Sequence, residues 1–137
     1  MKQWSFTICA ALALAVLPLA GVAHAGETHS VAFEKPHNGA QVKSEFKVEM
    51  EVDGMKVHKA GDIIDDTGHH HLIIDGDCIA KGQVVPKDAT HLHFGKGQTE
   101  TMLKLAPGKH TLTLQFANGH HQSYGRELCT TIHVTVK

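Results

Sequence analysis

The sequence carries no surplus of positive charge, no sustained helical period and no apolar run of membrane-spanning length. Thirteen Lys and Arg stand against 14 Asp and Glu, for a net charge of −1. That balance offers nothing to the phosphates of nucleic acid or to an anionic membrane surface, so neither is expected as a partner. Cysteine is scarce, with three in 137 residues. Repeats, low-complexity tracts and charge blocks are missing, as are G-x-S-x-G and H-E-x-x-H. In "HFGKGQTE" Lys96 precedes the second glycine, so this is no phosphate loop either.

The apolar stretch from Ile8 to Leu19 is about a dozen residues and is broken by Pro18, where a spanning helix wants roughly 20. It follows Lys2 and leads into "GVAHA", with Ala23 and Ala25 at the two small positions of an A-x-A site. The expectation is a secretory signal over residues 1–25 and one domain over residues 26–137, periplasmic or secreted, with no membrane span after processing. Cleavage after Ala23 is the alternative, and it would leave His24 at the new terminus. Only Cys78 and Cys129 lie beyond the signal, and an exported chain is expected to bridge them. Two free thiols, or a pair of soft metal ligands, are the other readings.

What is present is alternation. "FKVEMEV" places Phe46, Val48, Met50 and Val52 on one face, "HTLTLQF" does so with Leu112, Leu114 and Phe116, and "TIHVTV" with Ile132, Val134 and Val136. Adding "SVAFE", "HHHLIID", "HLHF" and "MLKL" gives about seven half-buried strands. Turn signals such as "PHNGA", "VDG", "DGD" and "ANG" separate them, and "LKLAPGKHTLTL" reads as two strands joined across a Pro-Gly turn. The predicted fold is all-β: a small antiparallel sandwich of immunoglobulin-like type, with a small closed barrel as the alternative.

Thirteen histidines are present, and they cluster at 69–71, at 91 and 93, and at 120 and 121. Side chains two apart in a strand share a face. If Leu72, Ile74, Leu92 and Phe94 face the core, then His69, His71, His91 and His93 point outward and His70 points inward. Two such pairs on neighbouring strands would bring four imidazoles to one point, a ligand set suited to zinc or copper among other transition metals. His120 and His121 are further candidates. His70, Gln98 and Glu100 are candidates for orienting the ligands from behind. Glu100 or Asp75 would be the general base if the metal activated water, and proton competition is expected near pH 6.5, where imidazole titrates.

"TGHHHLIID", "HLHFGKGQTE" and "LAPGKHTLTLQFANGHH", followed by a terminal strand, resemble the bacterial family known as domain of unknown function 4399, over about Val31 to Val136. The resemblance implies an exported single-domain sandwich in which Gly68–His71 and His93–Glu100 belong to one functional surface. The cysteine pair is not part of that likeness. The sequence thus points to a periplasmic carrier, buffer or sensor that binds copper or zinc and has no catalytic residues. A metal-free module whose His- and Gly-rich face meets a protein, peptide or glycan is the alternative, and a metal-dependent hydrolase is third.

Overall fold

Nine strands account for the alternation in the computed structural model, which describes residues 28–137. The expected signal over 1–25, with its cleavage positions and His24, lies outside the described residues. Three strands, β1 (Ser30–Lys35), β3 (Glu45–Asp53) and β7 (Glu100–Lys104), form one antiparallel sheet in the order β1-β3-β7. The second sheet contains β2 (Ala40–Val42), β4 (Lys56–Val57), β5 (Thr67–Ile74), β8 (Gly108–Ala117) and β9 (Cys129–Val136) in the order β2-β9-β8-β5-β4, and β6 (His91–His93) also pairs with β5. No α-helix occurs among the described residues, and none of their segments is a helix long and apolar enough to cross a membrane. The order β1-β3-β7 facing β9-β8-β5 matches immunoglobulin strands A, B and E facing G, F and C.

The anticipated inward residues meet between the sheets. Val31, Phe46, Val48, Met50 and Leu103 come from the smaller sheet, and Leu72, Leu112, Leu114, Phe116, Ile132, Val134 and Val136 from the larger. Burial of these side chains is the main stabilising term, at roughly 1.5–3 kcal/mol for each large one.

Three features differ from the expectation. The two additional strands, β2 and β4, are only three and two residues long, too short to show a period, and both pair parallel, with β9 and β5. The Pro-Gly turn after Leu105 does not make a hairpin: β7 pairs with β3, whereas β8 pairs with β5 and β9 in the opposite sheet. Alternation marks both strands but says nothing about which sheet each joins. Finally, β5 is buried on both faces from Thr67 to Ile73, so the side expected to meet solvent is covered.

The cover consists of the segments between β5 and β6 and between β8 and β9. Gln115, wholly buried on the covered face, accepts a hydrogen bond from the Ile79 amide at 3.0 Å and donates to the Gly125 and Leu128 carbonyls at 3.1 Å. Thr113 and Ser123 donate to the Gly76 and Ile79 carbonyls. The amides of Ser123 and Val85 donate to the Gln83 and His121 carbonyls, which ties the two segments together. A disulfide joins Cys78, at the start of the first segment, to Cys129 at the start of β9. Cross-linking residues 51 apart removes chain entropy from the unfolded state. Replacing both cysteines by serine is expected to lower the unfolding free energy by about 2–5 kcal/mol, read from chemical denaturation; an unchanged midpoint would show that the bridge contributes nothing.

Candidate metal centre

Register decides which histidines meet. The antiparallel pairing of β5 with β6 sets His71 opposite His93, Leu72 opposite Leu92 and Ile73 opposite His91. His71 and His93 therefore adjoin, with ring centroids 4.5 Å apart. The same register runs the outer members of the two pairs in opposite directions, so His91 lies beside Ile73, away from His69. His91 instead places its Nδ1 2.8 Å from Asp88 Oδ1.

His121 takes the place that the second pair leaves open. It sits in the β8–β9 connection with a left-handed backbone (φ 62). Asn118 fixes that turn: its Oδ1 accepts from the His120 and Gln122 amides at 3.0 Å, and its carbonyl accepts from the His121 amide at 2.9 Å. Gly119 allows the close approach, since a Cβ there would collide with the Asp62 carbonyl. The His121 ring consequently lies over β5.

Three ring nitrogens converge on His121 Nδ1: His69 Nε2 at 2.9 Å, His71 Nε2 at 3.2 Å and His93 Nδ1 at 3.2 Å. The donor atoms of His69, His71 and His121 all lie within 4.8 Å of one another, a set able to hold a metal ion. His93 is oriented from behind, because its Nε2 donates to the Pro86 carbonyl at 2.6 Å. That bond places the ring proton on Nε2 and leaves the Nδ1 lone pair facing His121.

The other candidates lie elsewhere. His120 is exposed, next to His121 in sequence but outside the cluster. Gln98 accepts from the Lys96 amide at 3.0 Å, and Glu100 pairs with Lys47 at 2.9 Å, so neither hydrogen-bonds a histidine of the cluster. Asp75, beyond the end of β5, is 2.8 Å from His110 Nδ1. His70 faces the core as parity requires, with its ring centroid 5.0 Å from that of Phe116 and neither ring nitrogen hydrogen-bonded.

His69, His70 and His71 are each 0 % exposed, and that burial governs their charge. Desolvation, reinforced by His121 and His93, lowers His69 to about 4. Desolvation and then His69 bring His70 to about 4, and desolvation with the neighbouring histidines brings His71 to about 2. His121 is lowered by burial first, then by His93, Lys87 and His120. His69, His71 and His121 are accordingly held in the neutral form in which imidazole ligates.

A family model described as a domain of unknown function, DUF4399, matches residues 48–137, which include β5, β6 and the whole histidine cluster. No curated protein and no solved structure matches the chain.

The lowered values have a consequence for stability. Imidazoles of the unfolded chain take up protons near pH 6.5, so below that pH the unfolded state binds more protons than the folded one. Stability is then full above about pH 6.5 and is lost as pH falls toward 4 and, for His71, lower still. His70→Leu, which removes two unpartnered buried nitrogens, is expected to raise the stability of metal-free protein at neutral pH by about 1 kcal/mol and to make the acid loss shallower. Urea titrations at neutral and mildly acid pH measure both effects, and an unaltered acid loss would remove His70 as a source of it.

Proposed function

We propose that this chain, which belongs to the DUF4399 family, is an exported protein that binds copper or zinc through His69, His71, His121 and His93 and acts as a carrier, buffer or sensor of that metal. The observation that carries this is the convergence on His121 Nδ1. A ring nitrogen has either one proton or one in-plane lone pair, so it takes part in a single good hydrogen bond. Three imidazole nitrogens at 2.9–3.2 Å from it exceed that capacity. A cation shared by His69, His71 and His121, whose donor atoms lie within 4.8 Å of one another, relieves that crowding, with His93 beside His121 at 3.2 Å as a further ligand.

The surroundings support the same reading. The Pro86 carbonyl orients His93 in the way outer partners orient metal-bound imidazoles. An all-nitrogen donor set suits zinc or copper(II), and among the described residues both cysteines, Cys78 and Cys129, are joined to each other and supply no thiolate. The disulfide also fits an oxidising compartment, in keeping with the signal-like segment at the start of the chain. Burial moves proton competition below the pH 6.5 expected for exposed imidazoles, so metal should be retained under mild acidity.

Titration calorimetry with zinc and with copper(II) is expected to give one ion per chain. His121→Ala, on a partly exposed connection, should weaken binding beyond the roughly 100-fold that loss of an outer partner costs, with the fold intact by circular dichroism. His91→Ala and His120→Ala should leave affinity unchanged. A wild type that binds neither ion, or a His91→Ala variant as impaired as His121→Ala, would overturn the proposal.

A further inference from the structure

A cleft of about 840 Å³ opens beside the cluster, and His93 and His121 form its inner wall. His69 and His71 are wholly buried, so an ion among the four rings would meet solvent on this side. Leu92, Phe94 and Val85 give the cleft apolar surface, and Lys87 and Lys96 line it as well.

The charge of this region is unbalanced. Imidazole ligands bring no negative charge to a divalent ion, and among the described residues the cluster's ring nitrogens hydrogen-bond only one another and the Pro86 carbonyl. The carboxylate that lines the cleft, Asp88, is turned to its own loop through Oδ1, which accepts from the Thr90 amide and hydroxyl and from the His91 amide and lies 2.8 Å from His91 Nδ1, and its single charge stands against two lysines. A dication held by neutral ligands, with two ammonium groups along the same cleft, calls for an anion from outside. The apolar surface favours one with a carbon skeleton over a bare inorganic ion, and the volume is within the range of small-molecule sites.

We infer that the cleft between His93, His121, Lys87 and Lys96 binds a small organic carboxylate, its carboxylate oxygen joining the imidazoles as a fifth ligand of the metal and its charge shared with the two lysines. The inference rests on the metal-binding proposal and adds a ligand class to it. The carrier or sensor then handles the metal together with a carboxylate, as a ternary complex.

Cobalt(II), whose visible spectrum reports its coordination sphere, serves as the metal, and benzoate, acetate and chloride as probes in carboxylate-free buffer. Benzoate is expected to change the spectrum of the stoichiometrically loaded protein saturably and at lower concentration than acetate. The double variant Lys87→Gln with Lys96→Gln should weaken benzoate by about tenfold, the scale of one lost charge-assisted contact, with cobalt affinity unchanged. A loaded protein whose spectrum ignores benzoate overturns the carboxylate site while leaving the metal site standing. Equal responses to chloride and benzoate overturn the organic class. Failure to take up cobalt, zinc or copper(II) overturns the metal proposal beneath both.

Discussion

Everything in this molecule's functional end depends on one crowded nitrogen. His121 Nδ1 has more imidazole nitrogens within 3.2 Å than it has hydrogen bonds to offer. Buried neutral rings do not gather in this way for packing alone, since an unpartnered buried donor or acceptor costs about 1–3 kcal/mol. The buried Nδ1 atoms of His69 and His71 lack hydrogen-bond partners as well. A cation able to take the converging lone pairs would offset that cost at the nitrogens around His121, and the fold holds those rings close together.

The sandwich supplies rigidity in two stages. Strand β5 lies between β8 and β6, so backbone pairing on both edges fixes the direction of His69 and His71. The covering segments then bring His121 and the Pro86 carbonyl onto the same face, held by Gln115, Ser123 and the Cys78–Cys129 bridge. A strand exposed on that face would have kept its histidines hydrated and protonatable near pH 6.5. Beneath the cover they remain neutral well into the acid range.

The sandwich and its core were legible because period-two alternation is a local signal: Phe46, Val48, Met50, Leu112, Leu114 and Phe116 could be assigned to one side without knowing their neighbours. Pairing partners were not legible in the same way, which is why the Pro-Gly segment read as two strands but gave no sign of crossing between sheets. Two His-x-His pairs were legible as ligands that could share a site if their strands adjoined, but the antiparallel register that sets His71 beside His93 and turns His91 toward Asp88 is a long-range property. His121 stood out only as part of "GHH", because its place over β5 depends on a left-handed turn and on cover folded from distant segments. One clue to that cover was present: Ile73 occupies an outward position, where a solvated strand would carry a polar residue.

X-ray absorption at the metal edge tests the central claim most directly, on untagged protein loaded with one equivalent of zinc or copper(II). The account predicts a first shell of nitrogen or oxygen near 2.0–2.1 Å with the outer-shell scattering of at least three imidazole rings. That signature should collapse to fewer rings in His121→Ala. A first shell containing sulfur, or one lacking imidazole scattering altogether, would contradict it.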